Sequence, residues 1–372
     1  MLPRVAGSAT TRRPTVDVVM STFNEERYIE RCLDHVVGQD YPPELVKIWI
    51  VDGGSSDGTV DLLRRRAERE RRLTVVADGT RLNLPAALNL AIEQSSGDLV
   101  AKVDAHGYPE RDFLSRAVAA LETGGPEVGC VGGMPIQEGE TRFGDAVAAA
   151  RTSAFGVGGG SYAIKGDREF VASVQCGVYR RTVLEHVGAF DPAMNFGEDD
   201  ELDWRVTQAG HKILLDRSIR FHYVTRPTWR AAYRQYRNYG EARVRVVRRH
   251  PGFLRPHHLA PVLLVSGTGT LAAGSVVSPV ARRLLAAAVA AYSGAALIAA
   301  AKAAPRRDRS VMPRIATVFP ALHLGYGVGM VRGLWKALRS VRPDHAEAQA
   351  PRAGAVAGRV GRDDHGAPAA DR

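Results

Sequence analysis

Apolar residues fall into short unbroken runs over the first part of the chain. VDVVMST (16–22), VKIWIVD (46–52), LTVVA (73–77), DLVAKVD (98–104) and EVGCVGG (127–133) are rich in Val and Ile. Runs of this kind predict strands covered on both faces, as in a parallel sheet, rather than the one-sided alternation of an open sheet. Between them the spacing turns helical. Ile29, Leu33 and Val36 put one apolar face on a helix over 25–37, with Asn24 at the N-cap position. Val60 and Leu63 do the same over 57–72, Pro85 sits in the first turn of a helix over 83–94, and a further helix is predicted over 110–122. Strand and helix alternate, so the expected class is α/β with right-handed crossovers. Ligands in such sheets collect at the carboxyl ends of strands. Thr22, Asn24 and Glu25, then Asp52, then Asp104 and His106, occupy those ends and should face one crevice.

The pattern changes after residue 225. Between Arg226 and Arg249 there are eight Arg and one acid, Glu241. Three stretches without Asp, Glu, Lys or Arg follow: Leu259–Ala281, Leu284–Ala301 and Ile315–Val331, the last holding His323. A bilayer core needs about 20 apolar residues as helix. The first stretch reaches that length, the second is Ala-rich and marginal, and the third is short, with Gly and Pro. Buried helices of a soluble domain would give a similar pattern, but three runs edged by Arg favour membrane association. Two spans with an interfacial or re-entrant third segment are expected, with three spans as the alternative. Residues 1–15 lack the apolar middle of a signal peptide, so the preceding domain is expected to face the cytoplasm. The expected division is a tail (1–14), a globular domain (15–225), a basic interfacial helix region (226–258), a membrane region (259–342) and a disordered tail (343–372).

Composition narrows the class. The 372 residues are 45% hydrophobic, which excludes global disorder and suggests one or two globular units. The net charge is +10, and only six of the 50 basic residues are Lys. The excess lies beside the apolar runs, so a membrane, not a nucleic acid, is the expected partner. Three Cys (Cys32, Cys130 and Cys176) have no metal-ligand spacing and read as reduced thiols. No G-x-G-x-x-G follows the first strand, and no P-loop is present. The GGSSDGT loop (53–59) lacks a phosphate-binding Lys and reads equally as a turn capped by Ser56 or Asp57.

STFNEE (21–26), VDGGSSDGT (51–59), RLNLPAALNLAI (81–92), GDLVAKVDAHG (97–107), VGAFDP (187–192) and GEDDELDWR (197–205) follow one another in the order found in family-2 glycosyltransferases. From about residue 15 to 225 the chain resembles that family. DAH in place of Asp-x-Asp, and the tail with RQYRNYG and apolar helices, resemble the bacterial succinoglycan-biosynthesis glucosyltransferases. The resemblance implies a GT-A fold, Rossmann-like with a mostly parallel sheet, a nucleotide-diphospho-sugar donor, a divalent metal and inversion at the anomeric carbon. It also implies that Asp52, Glu25 and Thr22 line the nucleoside pocket.

A leaving pyrophosphate calls for a hard cation, Mg²⁺ or Mn²⁺, held by few carboxylates plus phosphate oxygens. Asp104 is the leading ligand. His106 reads as a ligand or a phosphate contact, and an imidazole suits Mn²⁺ better than Mg²⁺. His222, in IRFHYV, reads as a ligand, a phosphate contact or a hydrogen-bonded core histidine. Regular alternation puts Lys102 on the same face as Asp104, where it could touch donor phosphate or balance charge; a snorkelling side chain is the alternative. GEDDELDWR has five acids in six residues at a helix start, most of them readable as capping or solvated charges. By resemblance Asp199 is the general base, Glu198 an acceptor contact, and Arg205 a structural partner of an acid. Residues 153–171, with Gly158–Gly160, read as a lid or as a surface insertion. Gln235 begins a Gln-x-x-Arg-Trp-like stretch whose last two positions are Asn238 and Tyr239, which favours single-sugar transfer over processive synthesis.

The function expected is therefore a membrane-attached, metal-dependent, inverting hexosyltransferase. It would use a UDP-sugar, UDP-glucose by resemblance, and a lipid-linked saccharide in envelope or exopolysaccharide assembly. The expected location is a bacterial inner membrane with the catalytic domain in the cytoplasm. Transfer to a polyprenyl phosphate, and a non-catalytic scaffold in a polysaccharide assembly complex, are the alternatives.

Overall fold

A computed structural model describes residues 12–157, 166–305 and 309–339. The N-terminal half follows the sequence pattern. Strands β1 (Val16–Thr22), β2 (Val46–Asp52), β3 (Leu73–Val76) and β4 (Leu99–Lys102) are parallel, in the order β3-β2-β1-β4. Helices α1 (Ile29–Val37), α2 (Thr59–Ala67) and α3 (Leu84–Gln94) connect them. Alternate residues of β1 enter opposite layers. Val18 and Met20 pack with α1 residues Ile29 and Leu33, while Val19 packs with α3 residues Ala87 and Leu88. Both faces are covered, which is why these strands are continuously apolar.

The second half departs from a parallel sheet. It contains β5 (Gly107–Pro109), α4 (Phe113–Thr123), β6 (Val128–Glu138), α5 (Arg142–Arg151), α6 (Ala154–Val157), β7 (Arg168–Val171), β8 (Val178–Arg180), α7 (Arg181–Val187), α8 (Glu198–Gln208) and β9 (Lys212–Val224). Beyond β4 the sheet runs β8-β6-β9-β5, with β7 also on β9. Only β6–β9 is parallel there; β4–β8, β6–β8, β5–β9 and β7–β9 are antiparallel. The three-residue strands β5 and β8 and the largely exposed β7 have little hydrophobic pattern of their own, so the sequence did not announce them.

Two local expectations change. Helix α1 begins at Ile29, and Asn24 does not cap it. Asn24 has φ +56° and its Oδ1 accepts from Ser56 N at 2.8 Å, which ties the loop after β1 to the loop after β2. Asn83 does cap α3, accepting from Ala86 N.

The chain continues through α9 (Trp229–Arg249), α10 (Ala260–Gly274), α11 (Pro279–Ala303) and α12 (Met312–Arg339). One compact unit extends to Leu334, and Trp335–Arg339, the last residues of α12, belong to a second, in which the Arg339 guanidinium lies 3.6 Å from the centre of the Trp335 ring. Among the described residues one helix, α11, is long and apolar enough to cross a membrane. The expectation is two spans with an interfacial or re-entrant third segment, or three spans; of the three uncharged stretches, the second is the one whose helix meets this length and composition. The first uncharged run breaks after Gly274, leaving α10 with 15 residues. The third run is a packed helix: Ile315, Val318, Phe319 and Leu322 are buried against α5, α9 and α11. Residues 1–11, 158–165, 306–308 and 340–372 lie outside the described residues. So do the 343–372 tail, most of the 1–14 tail and the triple glycine of the 153–171 loop.

Candidate active site

Elements far apart in the chain build the site. Along β4, Val100 belongs to the layer beneath α3, α7 and α8. Period two carries that side forward to Lys102 and then Asp104. The first turn of α8 arrives on the same side. The Lys102 Nζ lies 2.9 Å from Glu198 Oε1, 2.7 Å from each oxygen of Asp199, and 3.6 Å from Asp104 Oδ1. Lys102 is 1% exposed, so it does not snorkel; it neutralises carboxylates from two remote parts of the chain. Burial favours its neutral form, but the three carboxylates outweigh this and keep the ammonium charged. With one ammonium among three acids, the cluster stays net negative when the acids are ionised. Burial, with the charges of Glu198 and Asp104, raises the proton affinity of Asp199 against the pull of Lys102. A carboxyl shifted upward in this way is better suited to accept a proton.

His106 is oriented by Glu25, whose Oε1 lies 3.2 Å from Nδ1. Burial depresses the imidazole, but the Glu25 hydrogen bond and the neighbouring Tyr223 and Asp104 bring it up to about 9. Nε2 makes no hydrogen bond among the described residues. Asp104, His106, Glu25, Glu198 and Asp199 all line one cavity of about 1760 Å³.

Thr22 and Asp52 serve that cavity from behind. Asp52, 3% exposed, accepts from Thr22 Oγ1 (3.1 Å), Gly54 N (2.9 Å), Ser55 N (2.8 Å) and Ser55 Oγ (2.5 Å). Its carboxylate folds the glycine loop. Neither Thr22 nor Asp52 is in the cavity wall; their neighbours Ser21, Phe23 and Gly53 are. Asp57 is not the N-cap of α2, which is Gly58; from one residue before it, Asp57 accepts from Thr59 N at 3.1 Å.

His222 must be corrected. On β9 it alternates with Tyr223, and it is Tyr223 that faces the cavity. His222 points the other way, with Nδ1 2.6 Å from Glu138 and Nε2 3.4 Å from Glu110. A one-residue offset in a strand reverses the face, which removes His222 from the ligand set. The five acids of α8 also read differently from solvated charges. Asp200 meets Arg243 at 3.0 Å, and Glu201 meets Arg205 at 2.8 Å and His250 at 2.9 Å. Asp203 is fully buried and accepts from Val174 N and Tyr179 Oη, each at 2.9 Å. Arg205 also donates to the carbonyls of Val187, Gly188 and Ala189, holding the turn before α8.

Several cavity residues escaped the sequence reading: Phe23, Arg81, Arg151, Tyr223, Arg226 and Arg234. Arg226 and Arg234 were hidden in a cluster that reads as membrane-facing charge. Tyr223 was one residue from a chosen histidine, and only strand register separates them.

A mixed sheet with acidic groups converging at its strand ends is the architecture of nucleotide-sugar transferases of the GT-A type. In accord with this fold, the chain aligns with a mannosyltransferase from Pyrobaculum calidifontis, solved with GDP-Man and Mn²⁺, with a TM-score of 0.61, 24% identity and 88% of each chain covered. The model of glycosyl transferase family 2 matches residues 17–188. The succinoglycan biosynthesis protein ExoA of Rhizobium meliloti is 30% identical over 254 residues, covering 66% of this chain and 75% of the relative. A Methanococcus voltae relative, described as a dolichyl N-acetyl-alpha-D-glucosaminyl phosphate 3-beta-D-2,3-diacetamido-2,3-dideoxy-beta-D-glucuronosyltransferase, is 27% identical over 240 residues, covering 63% and 74%. The chain belongs to glycosyl transferase family 2.

Proposed function

We propose that this protein transfers one hexose, with inversion, from a nucleotide-diphospho-sugar to a lipid-linked saccharide at a membrane surface. The observation that carries the proposal is the convergence of Asp104 with the Glu198–Asp199 turn around buried Lys102, in a cavity that continues to α10 and α12. Asp199 is the base: its carboxylate removes the proton from the acceptor hydroxyl as that oxygen attacks the anomeric carbon. Glu198 orients the acceptor, and Lys102 holds both acids in place. Thr22 and Asp52 shape the loop on which the nucleoside rests, with Glu25 beside it. UDP-glucose is the first donor to try.

The donor set fits a hard divalent cation. Asp104 and His106 Nε2 would hold Mn²⁺ or Mg²⁺, and Glu25 on Nδ1 is the outer carboxylate that metal-bound histidines commonly have. Among the described residues no group of three or more His, Cys, Asp or Glu could hold a metal alone, which suits an ion completed by phosphate oxygens. Bound there, the cation would neutralise charge on the departing diphosphate.

The lipid-linked acceptor is supported by the dolichyl phosphate-linked substrate in the Methanococcus relative's description. It is also supported by apolar α11 and by exposed Val276, Val277 and Ile298 on the α10–α11 hairpin. Attachment to a cytoplasmic membrane face, within a polysaccharide assembly system, follows from the same reading. Gln235, spent on Tyr223 Oη at 2.9 Å, and Asn238 and Tyr239 in the cavity wall support single-sugar addition.

The test is transfer of label from UDP-[¹⁴C]glucose and other sugar nucleotides by detergent-solubilised protein. The acceptors are a lipid-linked saccharide and a bare polyprenyl phosphate. Product on the saccharide is expected. Product only on the phosphate would establish the monosaccharide-carrier alternative, and no turnover with any donor would leave a scaffold. Asp199→Asn should cut transfer at least about 100-fold while UDP affinity stays within about twofold. Normal turnover in that variant would remove Asp199 from the role of base.

A further inference from the structure

The cavity wall also carries cations that the chemistry above leaves unused. Arg151 ends α5, Arg226 lies just beyond β9, and Arg234 is on α9; all three side chains line the cavity. No carboxylate pairs with any of them among the described residues, although Arg205, Arg243 and Arg249 nearby are all paired. Arg151 is the extreme case. Its guanidinium lies 4.8 Å from the centre of the Tyr223 ring and interacts with that residue's hydroxyl, but its Nη1 is buried without a hydrogen-bond partner. Leaving a charged donor buried and unpaired costs more than the net gain of an ordinary hydrogen bond. A guanidinium kept in this state, with two more beside the same cavity, is arranged to receive an anion, and its planar fork suits phosphate.

The neighbouring wall says which anion. The same lining includes Tyr236, Tyr239, Leu264, Leu322 and Tyr326, contributed by α9, α10 and α12. An anion bound by the arginines thus shares one cavity with the acidic, sugar-transferring centre and with the apolar residues of these helices. We propose that Arg151, Arg226 and Arg234 form a subsite for the phosphate or diphosphate that joins the acceptor saccharide to its lipid. This rests on the lipid-linked acceptor proposed above. The same chemistry could come from the donor's own diphosphate, and the experiment is built to separate the two.

Farnesyl diphosphate is titrated into full-length protein in detergent, with and without saturating UDP and Mn²⁺, and farnesol serves as the uncharged control. The wild type should bind farnesyl diphosphate with UDP in place. Arg151→Gln and Arg234→Gln should each weaken that binding at least tenfold, with UDP affinity within twofold and farnesol binding unchanged. Arg151→Lys, which keeps the charge, should recover part of the loss, and equal melting temperatures would show that the variants are folded. The proposal is overturned if UDP abolishes farnesyl diphosphate binding in the wild type. It is equally overturned if the variants lose UDP and farnesyl diphosphate affinity together, or lose neither. Sugar transfer is scored separately. A wild type that binds the diphosphate through these arginines, yet glycosylates no lipid-linked saccharide, contradicts the proposed function and upholds the subsite.

Discussion

Lys102 and Asp203 show how burial sets the behaviour of single ionisable groups. Lys102 neutralises acids that would otherwise repel one another in a site of low dielectric. Replacing it by Met removes the counter-ion and leaves uncompensated carboxylates, which in buried pairs costs about 3–5 kcal/mol. Lys102→Met should therefore lower the urea midpoint strongly, and an unchanged midpoint would mean that the cluster is solvated. Asp203 is a different case. Burial raises its carboxyl to about 7, although hydrogen bonds from Val174, Tyr179 and Ser173 oppose the shift. Its folded-state pKa lies above the unfolded value, so its stabilising contribution is complete below about pH 4 and is lost as pH rises towards 7. Asp203→Asn should abolish that dependence. The stability difference between wild type and variant, measured by chemical denaturation from pH 4.5 to 8, should change by roughly 1.4 kcal/mol per pH unit up to about 7 and level off above it. A flat difference would show that Asp203 is ionised throughout. The sequence marked Asp203 as one of five acids but gave no sign that it is fully buried, because its partners come from residues 174 and 179.

Among the elements, α9 and α12 depend on close approach. Gly329 faces the carbonyl of Arg237, and Gly240 faces that of Tyr326, so a methyl group at either position would run into backbone. Gly325, Gly329 and Gly333 recur every four residues on the α12 face that meets α9. Small residues at this spacing let helix backbones come close, as they do in membrane bundles. Gly329→Val should push the helices apart and expose the α9–α12 seam to limited proteolysis. It should also reduce transfer to a lipid acceptor, because α9 and α12 both supply cavity wall; a normal cleavage pattern would show that the seam tolerates bulk. Helix and strand identities in the N-terminal half were legible because each segment carries a complete local signal: an apolar run, a helical face, or the Asn83 cap of α3. The later strands were not. β5, β7 and β8 are held by pairing with β4, β6 and β9, and that pairing leaves little trace in their own residues.

At the scale of the whole molecule, the proposed lipid-linked acceptor calls for a surface that can meet a membrane. Helices α10 and α11 and the turn between them present Leu263, Val276, Val277, Val280 and Ile298 to the surroundings, each more than 60% exposed. An apolar surface of this size on a soluble protein would be an aggregation hazard, whereas in a bilayer it is an anchor. Replacing Val276, Val277, Val280 and Ile298 together by Ser should shift the protein from the membrane pellet to the supernatant after carbonate washing. Retention in the pellet would assign attachment to the basic face of α9 instead. The sequence alone determined the family-level plan, because the ordered motifs and apolar runs are local and survive without knowledge of contacts. It also marked Asp104, Glu198 and Asp199 as the residues to watch. Only the tertiary structure decided that Lys102 binds both ends of that set, that Tyr223 and not His222 faces the cavity, and that Arg151 waits there without a counter-ion. Each of those outcomes depends on register and on the meeting of segments far apart in the chain, and a linear pattern carries neither.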